Sequence, residues 1–365
     1  MRGTITSTTT YDLRLEANSS SAEQGWPEVA FTADGFKLEA SGSRVNQSGQ
    51  TYIYIAIRRP MKTPESGTEV FSPSTFAGND PTPTVITTGF PVDLALLAYR
   101  DLAAAGGFGF TPRLTQSYLY SPTTAAEVST GLAFDSNTSF ATDANHWNQS
   151  PYNLIGYAFK RATGFMDVVA YTGNGAVRTI PHNLGVAPEL ILFKIRSTVS
   201  NWQVYASGMG ATKSNRLNSD GTPVTATAYF NDTAPTDSVF TLGTASNVNW
   251  SGNTFISYHF ATLAGVSKVG SYTGTGADLN VDCGFSAGAR FILIKRTDAS
   301  GDWYVWDSVR GIVAGNDPYL LLNSTAAEVT STDYIDPLAS GFTVTSSAPA
   351  ALNASGGTYI FLAIA

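Results

Sequence analysis

Cysteine is almost missing from this sequence: Cys283 stands alone among 365 residues. One thiol cannot close an intrachain disulfide, and metal sites built from paired cysteines are excluded. In its strand-rich setting Cys283 reads as a small buried hydrophobe. Charge is scarce too. Asp, Glu, Lys and Arg together make up 13% of the chain, roughly half the usual share. The densest basic cluster is Arg58-Arg59 with Lys62 nearby, and the formal net charge is −7. Nucleic acid is thereby excluded as a primary partner, because phosphate binding needs clustered Lys and Arg. An electrostatic role at an anionic membrane surface fails for the same reason. No apolar run approaches the roughly 18 residues that cross a bilayer, so no membrane insertion is expected. Residues 1–11 are polar and Thr-rich, without the apolar stretch of a signal peptide. Helical periodicity is nearly absent. So are the nucleophile elbow, the phosphate loop, the HExxH zinc motif and the dinucleotide fingerprint, and no cofactor or metal is expected.

What fills the space is apolar and turn-forming. Hydrophobic residues reach 43%, enough for a packed core. Ser, Thr, Gly and Asn replace the missing charges. β-Branched and aromatic residues suit pleated surfaces, and Gly, Asn and Asp suit tight turns, so the expected class is all-β.

The chain repeats itself. Thr51-Tyr52-Ile53-Tyr54-Ile55-Ala56-Ile57 near the start matches Thr358-Tyr359-Ile360-Phe361-Leu362-Ala363-Ile364 at the end. Asn153 to Phe159 and Asn253 to Phe260 fall between them. The period is about 100 residues, the size of a domain and longer than a solenoid repeat. Each segment reads as a closing strand. Leu190 to Lys194 matches Phe291 to Lys295, and more loosely Leu94 to Ala98. Asn201 to Tyr205 matches Asp302 to Trp306, and Val169 to Gly175 matches Gly270 to Gly276. Tyr319 to Ser324 matches both Tyr118 to Ser121 and Tyr11 to Glu16. The chain therefore divides into a partial first β unit over 1–60 and three β-sandwich units over 68–163, 166–264 and 267–365. A jelly roll is the alternative architecture. The first unit lacks the opening strands of its siblings. A half-sandwich exposes an apolar face, which calls either for more polypeptide or for another subunit. The joints at 161–165 and 263–268 are short, so neighbouring units should pack closely.

Repetition also sorts the candidates for function. Trp202 and Trp303 recur at one place, as do Tyr205 and Trp306, and are assigned to the core. Trp26, Trp147 and Trp250 have no Trp counterparts; singular aromatics in polar loops are candidates to meet a sugar ring or a protein neighbour. His146, His182 and His259 lie at unrelated positions, and His259 replaces Ala158 and Ala363 of the sister units. That placement suits structure better than catalysis. Asp298, Asp302 and Asp307, or Asp232 with Asp237, offer the carboxylate pairs of a glycosidase. All lie in turn-like sequence, where Asp commonly bonds its own backbone. The loops around Asp298–Asp302 and Gly315-Asn316-Asp317 hold oxygen donors but lack the spacing of a calcium loop.

The landmarks Tyr171 to Gly175, Leu190 to Lys194, Trp202 to Tyr205, Phe230 to Thr236, Val239 to Gly243, Tyr319 to Thr325 and Gly356 to Ile364 resemble those of a family of bacteriophage virion proteins with repeated β-rich domains. The resemblance is good over 166–365 and loose over 1–165. It implies a structural protein of a tail fibre or other external appendage, located on the virion, with other virion subunits and a host-surface glycan or protein as partners. It also implies a homo-oligomer, with a trimer as the form expected of such appendages. A purely architectural capsid or tail decoration is the alternative, followed by a polysaccharide-degrading tail enzyme. The expectation is a non-enzyme.

Overall fold

The computed structural model describes residues 12–14, 16–22, 24–26, 29–31, 36–38, 45–56, 61–102, 107–129, 131–143 and 146–365. Among the described residues, each of the segments 71–159, 166–260 and 267–364 contains eight strands. All their pairings are antiparallel. In each unit the closing strand lies between the opening strand and the next long strand. Asn153–Phe159 lies between Phe71–Ala77 and Leu94–Tyr99. Thr254–Phe260 lies between Met166–Thr172 and Leu190–Ile195. Thr358–Ile364 lies between Ser267–Thr273 and Phe291–Arg296. A smaller sheet covers one face: Val85–Thr87 with Ser139–Ala141, Arg178–Pro181 with Val239–Leu242, and Leu279–Asp282 with Gly341–Val344 and Ile335–Leu338. Each unit is thus a β-sandwich.

The long central strands Leu94–Tyr99 and Leu190–Ile195 are buried at every position. A strand buried on both faces reads as a continuous apolar run rather than an alternation, which accounts for LALLAY and, apart from the buried Lys194, for LILFKI. The two faces serve different cores. Ala95, Leu97 and Tyr99 face the sandwich interior of their own unit, as do Ile191 and Phe193, and Ile292 and Ile294. Leu94, Leu96 and Ala98 instead join Leu190, Leu192, Phe291 and Leu293 in one continuous cluster that runs through all three units. The three sandwiches therefore pack around a shared central core.

Equivalent contacts recur around that core. The Trp202 indole donates to the Tyr120 carbonyl at 2.9 Å, and the Trp303 indole to the Arg216 carbonyl at 3.0 Å. Phe108 holds the matching position in the first complete unit and is fully buried. Arg196 meets Glu127 at 2.8 and 3.0 Å, and Arg100 meets Glu328 at 2.7 Å. The first complete unit so contacts the second, the second the third, and the third the first. Gly67 lies so close to the carbonyl of Ala365 that a Cβ there would stand 1.9 Å from its oxygen. The ends of the three-unit stretch meet, and the ring is closed.

In the partial first unit, Asp12–Arg14 pairs with Gln24–Trp26 and Val29–Phe31 with Phe36–Leu38. The expected closing strand is not formed: residues 51–56 run outside any strand. Its siblings are each gripped by a strand on both sides, and among the described residues nothing flanks 51–56 in that way.

Candidate functional site

The three singular tryptophans have separate fates. Trp26 ends a short strand, and its side chain lies outside the described residues. Trp147 is 1% exposed and fills the first complete sandwich, which corrects its reading as a surface aromatic. Its ring stacks on Tyr99 at 5.9 Å and meets Tyr118 edge-on at 5.8 Å. The space comes from Gly109, where a Cβ would sit 2.2 Å from the indole. Val248 and Leu352 occupy the equivalent place in the sister units. Trp147 is singular because a larger core residue is matched by a missing side chain opposite. Trp250 is 49% exposed and remains available to a partner. It follows the short helix Ser246–Asn249.

A recurrent side chain that the landmark comparison missed sets these loops. Asn148, Asn249 and Asn353 are buried, and each stands five residues before its closing strand, at Asn153, Thr254 and Thr358. Asn249 accepts from the Asn174 amide at 3.0 Å and donates to the Ala176 and Gly243 carbonyls at 2.7 and 2.8 Å. Asn353 accepts from the Thr275 and Gly276 amides and donates to the Ala277 and Thr345 carbonyls. Asn148 accepts from the Asn79 amide and the Thr84 hydroxyl and donates to the Thr82 carbonyl. One buried amide therefore ties the turn after the opening strand to the lead-in of the closing strand. Its constant spacing was the available signal.

A groove of about 510 Å³ runs along the joint between the second and third complete units. Gly208, Met209, Lys213 and Pro223 form one wall, and Ser271, Tyr272, Thr297, Asp298, Thr358 and Tyr359 the other. Tyr272 and Tyr359 stack with centroids 4.7 Å apart. The Thr297 and Thr358 hydroxyls lie 2.8 Å apart. Asp298 takes two bonds from Arg296, at 3.0 and 3.1 Å, and one from the Thr358 amide. The Arg296 contact holds its carboxyl down to about 2. It stays ionised and is a poor proton donor at neutral pH. The Tyr359 ring is fully buried beneath the groove, so the surface offers hydroxyls and charges of both signs, which suit recognition of a polar, hydroxyl-rich ligand.

Asp237 is exposed, and the candidates Asp302, Asp232, Asp307 and His259 are engaged elsewhere. Asp302 accepts from the Asn323 amide group at 2.6 Å, and Asp232 from the Thr227 hydroxyl at 2.8 Å. Asp307 is buried against Arg310 and accepts from the Tyr157 hydroxyl at 2.7 Å. His259 is fully buried, and its Nε2 lies 2.8 Å from the Ser257 hydroxyl, also buried. Burial pushes the imidazole down to about 3, so it is neutral. With both groups sealed in the sandwich, this serine–histidine contact faces no open space for a substrate. Cys283 is buried, and burial pushes its thiol up to about 12, as a small core residue rather than a nucleophile. Among the described residues no cluster of three His, Cys, Asp or Glu side chains is arranged to hold a metal, and no helix is long and apolar enough to cross a membrane.

Residues 66–365 match the family model described as a domain of unknown function, DUF7483. This span coincides with the closed three-unit ring. No curated protein matches the chain.

Proposed function

This chain belongs to the DUF7483 family, and we propose that it is a structural protein of a phage tail fibre or other external appendage, which helps to assemble the particle and attach it to the host surface. The observation that carries this reading is the ring itself. Three sandwiches locked around one core form a rigid body that can hold loops and inter-unit grooves at fixed spacing. Presentation of that kind suits weak, repeated contacts, whose avidity grows with copy number rather than with the depth of one pocket. The virion-like landmarks over 166–365 support it independently. The groove by Tyr272 and Tyr359 and the exposed Trp250 are the surfaces assigned to a host glycan or protein.

Antibody against the chain, applied to intact particles of a phage that encodes it, should label an external appendage; unlabelled particles would contradict the proposal. Tyr272→Ala, Lys213→Ala and Trp250→Ala together should weaken binding of the purified chain to host cells at least tenfold. Unchanged binding would remove the attachment role and leave the architectural one.

A further inference from the structure

The groove beside Lys213 lies where one joint of the ring departs from the other two. Between the first and second complete units Arg196 bridges Glu127 at 2.8 Å, and between the third and first Arg100 bridges Glu328 at 2.7 Å. The Glu127 and Glu328 amides also donate to the Arg196 and Arg100 carbonyls, at 2.9 and 2.7 Å. The repeat gives the counterparts at the remaining joint. The Arg196 amide donates to the Thr254 carbonyl as that of Thr297 does to Thr358, so Thr297 holds the arginine's place. Lys194 donates to the Thr124 carbonyl and Lys295 to that of Asp220. Three residues on stand Glu127 and Pro223, so the proline holds the glutamate's place. Threonine and proline form no ion pair, and proline has no N–H to repeat the backbone bond. Both residues line the groove. The seam is open here because the bridge of its sisters is missing.

Lys213 is a second departure. It lies two residues before Asn215, which pairs with Val204. Ser117 and Pro318 lie two residues before Leu119 and Leu320, which pair with Phe110 and Val305. Both counterparts are uncharged and buried, whereas Lys213 is exposed. The fold therefore asks for no cation at this place. Among the described residues no carboxylate pairs with Lys213. The acid of the groove, Asp298, is already matched by Arg296. The unmatched charge is thus a single ammonium, in a groove that also holds the Thr297 and Thr358 hydroxyls. We propose that the groove takes an acidic saccharide, whose carboxylate meets Lys213 and whose ring hydroxyls meet Thr297, Thr358 and Asp298. One point charge suits a monoanionic carboxylate, whereas phosphate favours the fork of a free guanidinium. This inference rests on the attachment role proposed above and narrows its ligand to one charged class.

Binding of the purified full chain to envelope polysaccharide, extracted from host cells of a phage that encodes it, tests the inference. The polysaccharide is used native, carboxyl-reduced and dephosphorylated. Carboxyl reduction should weaken binding by about tenfold or more, the scale of one charge-assisted hydrogen bond. Dephosphorylation should not. Lys213→Gln should weaken native binding by the same factor and leave binding of the reduced form unchanged. Thr297→Arg with Pro223→Glu should set the sister bridge across the seam and abolish binding, with the melting temperature of the ring kept. Binding that survives carboxyl reduction or Lys213→Gln would overturn the inference, as would a loss on dephosphorylation alone, while the attachment role stood. So would a chain that binds host cells but not the polysaccharide. A chain that binds neither would remove the attachment role itself, and the inference with it.

Discussion

The joint between the third and first complete units has no covalent link, so its buried polar network is the place to perturb the ring. Arg310 is fully buried between Asp307 and Glu328. It also donates to the Tyr157 hydroxyl at 3.1 Å and the Val305 carbonyl at 3.0 Å. Tyr157 belongs to the first complete unit, the other residues to the third. Arg310→Met removes the cation and leaves two buried carboxylates. Glu328 keeps Arg100 at 2.7 Å, and Asp307 keeps the Val309 and Arg310 amides and the Tyr157 hydroxyl. Breaking a buried pair from one side costs about 3–5 kcal/mol. The partners that remain place the expected loss near 3 kcal/mol, about two decades in the folded-to-unfolded ratio. Urea unfolding followed by tryptophan fluorescence reads the loss. Hydrogen exchange should speed up at the Glu328 amide, which bonds the Arg100 carbonyl across the joint at 2.7 Å. Lys62→Met, which removes an exposed pair with Glu65, is the control and should leave the curve in place. A stability for Arg310→Met within about 0.5 kcal/mol of wild type would refute the reasoning, since that is the range of a surface change.

Three further outcomes are expected. His259 is neutral in the folded chain and gains a proton on unfolding below its ordinary value of 6.5. The unfolded state then binds more protons, so this group's contribution to stability falls as pH drops from about 6.5 toward 3, by about 2 kcal/mol between pH 7 and pH 5. His259→Ala should remove that difference in urea titrations at the two pH values, whatever its cost at pH 7. Gly109→Ala should cost about 1–3 kcal/mol through its clash with Trp147, and much less in a Trp147→Leu background, as a double-mutant cycle would show. Asn249→Ala strips three backbone partners and should cost about 3 kcal/mol by thermal or urea unfolding, with faster exchange at the Asn174 amide.

The strands were legible because they repeat, and a fold requirement imposed three times leaves three copies of its mark. Trp202 and Trp303 were correctly assigned to the interior by recurrence. That interior is the joint between units, which no local pattern distinguishes from a sandwich core. The reason is physical: both faces of a strand such as Leu94–Tyr99 are apolar, and only the position of another unit separates them. Singularity does not distinguish Trp147 from a surface aromatic, because a compensated core position is singular too. Its explanation, Gly109, lies far away in sequence and across the sandwich. The buried asparagines at constant spacing were visible but lay outside the compared landmarks. The groove by Tyr272 and Tyr359 could not be read locally, since its walls come from two units.

The shared core makes the most direct demand on measurement. Scanning calorimetry of the chain should show residues 66–365 melting in one main transition, with a calorimetric-to-van't Hoff enthalpy ratio near one, because no unit can leave without exposing the core of the other two. Separate transitions for the units, or a ratio near three, would mean that the sandwiches are independent and would contradict the closed ring.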